Sequence, residues 1–267
     1  MKNIFCYFFL IAQLFIYSTE TGTFFDYKGC SPCSGAYYIY IQTGYAYSFK
    51  ASIQNPNKNF WDDAVEGYNN NLGGSPYFSF GFGRSFFYYL RADVSYSFFQ
   101  GFHYQKSQSG ASQTIGFTGN RRLRFFDLDH QNFMFNISLY PERHFYFTFA
   151  RCDFSPFIGV GVGAGFNRVL NFHTVAYVSG VGSTTSVGLR ANNTSFAWQG
   201  FAGIRLHPIL SSMSIDLGYR YYHGGGFVCP EKIYVNTPDF AGSSIKATPW
   251  RGILRTNQFM ISLNYLF

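Results

Sequence analysis

The chain closes on a repeat of two. Phe259, Ile261, Leu263, Tyr265 and Phe267 share one parity, while Gln258, Ser262 and Asn264 take the other. Successive side chains of a β-strand point to opposite faces, so this segment reads as a strand with one apolar and one polar side. The pattern recurs upstream. Met213, Ile215, Leu217, Tyr219 and Tyr221 alternate with Ser214, Asp216, Gly218, Arg220 and Tyr222. Leu90, Ala92, Val94, Tyr96 and Phe98 alternate with Arg91, Asp93, Ser95 and Ser97, and Phe133, Phe135, Ile137 and Leu139 with Asn132, Asn136 and Ser138. Four segments of lower contrast, about 37–48, 76–84, 154–166 and 196–206, bring the count to eight.

Composition says which solvent the apolar face meets. Aromatic residues are 22% of the chain and charged residues only 12%, whereas a soluble domain carries about 25% charged residues. Disorder is excluded, because disordered chains are charge-rich and aromatic-poor. The mean hydropathy of −0.05 is too polar for a helical membrane bundle. A soluble eight-stranded barrel would turn its apolar face inward around a ligand and carry its charges outside. Here the charges share their parity with the glycines, which suits a crowded interior. With no further continuous apolar segment, a membrane is crossed by a closed β-barrel if it is crossed at all.

The connections alternate in length. Long polar stretches fill about 49–75, 99–126, 167–195 and 223–257; short ones lie near 84–87, 140–153 and 207–212. The expected fold class is therefore all-β: a single up-and-down antiparallel transmembrane β-barrel of eight strands over residues 36–267. Four long loops would stand at the external rim and short turns at the periplasmic one. A ten-stranded barrel is the alternative, since Phe145–Ala150 and Val175–Leu189 are also β-prone. Residues 1–22 read as a signal peptide, with Lys2 ahead of an apolar run from Ile4 to Tyr17 interrupted only by Gln13. That run of about 14 residues is shorter than the roughly 20 a spanning helix needs. Residues 23–35 are then a periplasmic segment.

Three passages resemble the small eight-stranded outer-membrane barrels of Gram-negative bacteria, the OmpA-like and opacity-type surface antigens. They are Pro156–Gly165 (PFIGVGVGAG), Leu217-Gly218-Tyr219-Arg220-Tyr221, and the ending from Phe259 to Phe267. The resemblance implies an outer-membrane location reached by export. It also implies that Leu263, Tyr265 and Phe267 form a C-terminal assembly signal read by the barrel-assembly machinery.

Chemistry is sparse. None of the six histidines sits in a His-x-Ser pair beside an acid, and there is no Gly-x-Ser-x-Gly elbow. The run Gly159–Gly165 lacks the helix and distant acid of a nucleotide site, so it reads as barrel wall. No catalytic residue, cofactor or metal is expected. Cys30, Cys33 and Cys152 fall on the periplasmic side, where disulfides persist. Cys30 or Cys33 is expected to bond within the N-terminal segment or to Cys152. Arg91, Asp93, Arg205, Asp216 and Arg220 all take the interior parity, and buried charges must be paired. An interior ion-pair network plugging the lumen follows. Arg121, Arg122 and Arg124 cluster in an external loop, where guanidinium groups would meet lipopolysaccharide phosphates. The net charge of +7 does not point to nucleic acid, because the basic residues are scattered and no such fold signature is present. The expected function is a non-enzymatic surface protein. Its barrel meets outer-membrane lipid and lipopolysaccharide, and its loops meet an envelope or host ligand. A narrow channel for small polar solutes is the runner-up, and a lipid-modifying enzyme comes third.

Overall fold

The computed structural model describes residues 36–54, 71–86, 89–109, 121–141, 147–149, 152–178, 182–207, 212–236, 243–246 and 248–267. The segments expected to be a signal peptide (1–22) and a periplasmic tail (23–35) lie outside them. The described residues form strands and no helix. In chain order these are β1 (Tyr37–Ser48), β2 (Gly74–Phe86), β3 (Leu90–Phe99), β4 (Phe102–Ser109), β5 (Arg121–Leu139), β6 (Phe147–Phe149) and β7 (Cys152–Val178). Then follow β8 (Gly182–Gly188), β9 (Ala191–His207), β10 (Met213–Val228), β11 (Lys232–Asn236), β12 (Ser243–Lys246) and β13 (Arg251–Leu266).

Eight of these strands close on themselves. The order is β1-β2-β3-β5-β7-β9-β10-β13, each antiparallel to the next, and β13 returns to β1. At the seam Tyr37 N–H donates to Phe267 C=O at 3.0 Å and Phe267 N–H to Tyr37 C=O at 2.9 Å. The closed ring has no free edge, which an open sheet would present to solvent or to another chain.

The extra strands lengthen the walls and do not widen the ring. β4 continues β3 along the same neighbour: Phe98 lies opposite Gln131, and Phe102 opposite Leu128. The joint between them is Gly101 at φ +107°, a conformation closed to residues with a Cβ. The long β5 and β7 run together up to Arg121 and Tyr177. β8 then pairs with the top of β7, β11 with β8, and β12 with β11. The β-prone stretches that suggested ten strands are β6, the upper part of β7 and β8. They leave the ring at eight. Much of what reads as loop in 99–126, 167–195 and 223–257 is strand above the ring.

Those upper strands escape the alternation test because their inner face turns apolar and their outer face polar while the parity stays the same. In the lower part of β5, Phe133, Phe135, Ile137 and Leu139 are exposed on the outside, and Asn132, Asn136 and Ser138 are buried inside. Higher on the same strand Phe126 and Leu128 are buried inside, while Asp127 and Asp129 face outward. The apolar interior above is continuous, joining Phe102, Tyr104, Phe126, Leu128, Phe172, Phe227, Trp250 and Leu254. One barrel therefore has a polar interior below and an ordinary hydrophobic core above.

Large interior rings are accommodated by glycines on the neighbouring strand. Tyr40 lies opposite Gly81 in the β1–β2 register, and a Cβ at Gly81 would sit 2.4 Å from the Tyr40 ring. Gly81→Ala should displace that ring and destabilise the barrel by about 1–3 kcal/mol, the usual cost of overpacking. Urea unfolding of the barrel refolded into lipid vesicles reads this as a lower midpoint.

Candidate functional site: the barrel lumen

Strand parity delivers five charged residues to the lower lumen. Arg91 and Asp93 come from β3, Arg205 from β9, and Asp216 and Arg220 from β10; all five are buried. Arg205 and Asp216 are direct cross-strand partners. Their side chains form a forked ion pair, Nε to Oδ1 at 2.7 Å and Nη2 to Oδ2 at 2.8 Å. The Tyr140 hydroxyl donates to the same carboxylate at 3.2 Å, and its ring packs under the guanidinium with 4.0 Å from Cζ to the ring centroid. Arg91 stacks on the same ring at 4.4 Å and on Tyr38 at 5.3 Å.

Asp93 is held by neutral donors, the hydroxyls of Tyr38 (3.0 Å) and Tyr40 (2.9 Å) and the amide of Asn136 (2.7 Å). Asn136 in turn accepts from Gln199 at 2.6 Å, which joins β5 to β9 over Gly161 of the intervening β7. Arg220 donates to Gln42 and to Gln258, the latter at 3.4 Å. The lumen thus holds a forked pair, together with a carboxylate and a guanidinium surrounded by tyrosines and amides. Buried charge is tolerated when its hydrogen bonds are met, as they are for Asp93; Arg220 Nε is left without a partner among the described residues. A cavity of about 40 Å³ remains among these side chains, bordered by Asp93, Asn136, Gln199, Asp216 and Arg220. That is room for a water or two.

Above the cavity stands a further group of buried side chains. The His130 ring bridges Tyr222 (Nε2 to hydroxyl, 2.6 Å) and Asn167 (Nδ1 to Oδ1, 2.8 Å), all buried. Phe99 packs on both His130 and Tyr222, with centroids 5.1 Å and 6.1 Å apart. The apolar core of the upper strands continues from there. These interior amides and rings carry no motif of their own. Only their parity, shared with Arg91 and Asp216, marks them in the sequence.

Other expected site residues are placed as follows. Arg124 belongs to the interior: it is 8% exposed, with Cζ 3.3 Å from the Trp250 ring centroid and Nε donating to Thr174 at 3.0 Å. It is therefore corrected from a phosphate ligand at the surface to a cation packed on an indole. The reason is that β5 keeps one parity along its length, so Arg124 points inward like Asn132, His130 and Leu128. The side chains of Arg121 and Arg122 lie outside the described ones, as do Cys30, Cys33 and the side chain of Cys152. Leu263, Tyr265 and Phe267 line the outer face beside the seam, with Tyr265 and Phe267 rings stacked at 6.2 Å. Cys229 carries a free, buried thiol pushed up to about 12 by its burial. One serine does meet a histidine, Ser155 Oγ to His207 Nε2 at 3.4 Å, but the serine is fully buried and presents no face to an acyl substrate.

No family model and no curated protein matches the chain. Among solved structures it is similar to Neisserial surface protein A, at 14% identity and a TM-score of 0.37, over 86% of this chain and 97% of that one. It is similar to Ail, the attachment invasion locus protein of Yersinia pestis, at 13% identity and 0.37, over 88% and 99%. It is also similar to the outer membrane protein OprG of Pseudomonas aeruginosa, at 13% and 0.43, over 88% and 97%. At these values the strand pairing above, and not the likeness, carries the architecture.

Two outcomes test the lumen chemistry. Asp216→Asn leaves the buried Arg205 without its counter-charge and should cost about 3–5 kcal/mol in urea unfolding. Replacing both partners, Arg205→Met with Asp216→Leu, should cost clearly less than the two single changes summed. The Cys229 thiol should resist a maleimide reagent at pH 7.5 in the folded barrel and react on unfolding, read by mass spectrometry.

Proposed function

We propose that this chain is an exported outer-membrane β-barrel that acts as a non-enzymatic surface protein. Its barrel is the anchor, and its upper strands and loops meet envelope or host molecules. The observation that carries this reading is the outer surface of the ring. Every stave contributes large exposed apolar side chains, among them Ile39, Phe80, Val94, Phe135, Val160, Phe196, Tyr219 and Phe259. Phe259 is 70% exposed and Phe196 66%. Soluble monomers rarely expose contiguous apolar patches above a few hundred Å², and here the patch encircles the molecule.

The height of the belt supports the same conclusion. From Tyr37 to Tyr47, at about 3.3 Å per residue, β1 carries outward apolar positions over about 33 Å. A strand tilt of about 40° reduces this to about 25 Å, the height of the apolar band of outer-membrane barrels. Arg84 sits at its lower edge, with Cζ 5.1 Å from the Tyr37 ring centroid and 5.7 Å from that of Phe86.

The lumen supports an anchor over a channel. Among the described residues a cavity of about 40 Å³ lies between the lumen side chains, and the apolar core of the upper strands stands above it. Leu263, Tyr265 and Phe267 form the final outward stripe, which we take as the feature read by the assembly machinery. Outer-membrane lipid and lipopolysaccharide are the partners of the belt. The expression of the full chain should place it in the outer-membrane fraction, with folded and boiled forms migrating differently on gels. Recovery in the soluble fraction would defeat the anchor. Planar bilayers should show no steady conductance; large, stable channels would favour the solute-channel reading instead.

A further inference from the structure

Three adjacent strands build a polar ledge on top of the apolar belt. Directly opposed residues of antiparallel strands face the same side, so their outward positions form horizontal rows. Phe133 of β5, Ala164 of β7 and Phe196 of β9 make an apolar row. One row higher stand Gln131, Phe166 and Thr194; above them stand Asp129, Arg168 and Asn192. Arg190 lies just before β9 and donates its Nε to Asn192 Oδ1 at 2.9 Å. Arg168 is oriented by Asp129, with Nε to Oδ2 at 3.1 Å and Nη2 closing the same pair. Between them lies an outward-facing cleft of about 420 Å³.

We propose that this cleft is a binding site for the phosphate-bearing headgroup of an outer-leaflet lipid. The inference rests on the anchor reading above, because it needs the belt to lie in a bilayer. Depth argues for a lipid: the cleft borders exposed Phe166 and lies one row above Phe133 and Phe196, where acyl chains end and headgroups begin. Charge argues for phosphate: two guanidinium groups face one carboxylate. The Nε of each arginine is occupied by a neighbouring acceptor, and the terminal nitrogens of Arg190 carry no other bond among the described residues. Guanidinium nitrogens held as a fork match phosphate oxygens pairwise. The amides of Gln131 and Asn192 and the hydroxyl of Thr194 supply hydrogen bonds to the sugar or glycerol that bears the phosphate. None of these residues belongs to the arginine cluster at Arg121, Arg122 and Arg124.

The test uses the full chain, refolded in detergent micelles and titrated with bisphosphorylated lipid A, fully dephosphorylated lipid A or inorganic phosphate, with bound lipid counted by native mass spectrometry. Heat-modifiable gel mobility and insertion into vesicles are recorded separately. The phosphorylated lipid should bind at least tenfold more tightly than the dephosphorylated one. Arg190→Gln combined with Arg168→Gln should abolish that preference, while Asp129→Asn should leave it intact or increase it. Arg255→Gln, on β13 two rows above Phe259, should have no effect. Equimolar inorganic phosphate should fail to displace the lipid, because the acyl chains contribute to binding.

Equal binding of both lipids by a correctly inserted barrel would overturn this site and leave the anchor standing. So would a phosphate preference that survives the double arginine variant, or displacement by inorganic phosphate. Failure of the barrel to insert into vesicles would overturn both.

Discussion

Every stave of this ring must satisfy its backbone hydrogen bonds on both flanks. In hydrocarbon a single open edge would leave a row of N–H and C=O groups unbonded, each at a cost of several kcal/mol. The reciprocal bonds between Tyr37 and Phe267 are therefore more than two contacts among many. They join β1 to β13, the strands furthest apart in sequence, and turn a meander into a barrel. Closure at eight strands also sets the lumen's width, which side chains alone can fill. The tyrosine–glycine pairing across β1 and β2, the forked Arg205–Asp216 pair and the amide bridge from Asn136 to Gln199 all answer to that fixed interior.

The second governing feature is the exchange of solvent along a single strand. β5 turns Leu139, Ile137, Phe135 and Phe133 outward, then Gln131, Asp129 and Asp127, with no break in its pairing to β7 apart from a bulge near Phe125 to Asp127. Its inner face changes in the opposite sense, from Ser138 and Asn136 to Leu128 and Phe126. A wall with an apolar outer face below and a polar outer face above thus shares one continuous ladder. The rim between them is where apolar and charged rows are adjacent, and the Arg168 ledge lies there.

This exchange explains what was legible in the sequence. Strands whose outer faces are wholly apolar, such as Phe259–Phe267 and Leu90–Phe98, can be read from parity alone, and the eight staves and their order follow from them. Above the rim, β4 and the upper parts of β5 and β7 mix aromatic and polar residues on both parities, and they read as loop. Arg124 looks like one of three external arginines, yet it keeps the inward parity of β5 and packs on Trp250. The charged interior residues were legible because charge on the face opposite lipid has nowhere else to go. Their tyrosine partners, Tyr38, Tyr40 and Tyr140, carry no such mark, since tyrosine is equally at home at a rim. The ledge carries no mark in the sequence because it depends on the register that sets Asp129, Arg168 and Asn192 side by side on three strands.

The central claim is that one face of β5 passes from lipid to water between Phe133 and Asp129. Spin labels placed singly at residues 127, 129, 131, 133, 135, 137 and 139 of the barrel in vesicles test it through collision rates with oxygen and with a water-soluble nickel complex. The account predicts oxygen-dominated collisions from 133 to 139, nickel-dominated collisions at 127 and 129, and the crossover at 131. Nickel access at 135 and 137, or an even profile along the strand, would contradict it.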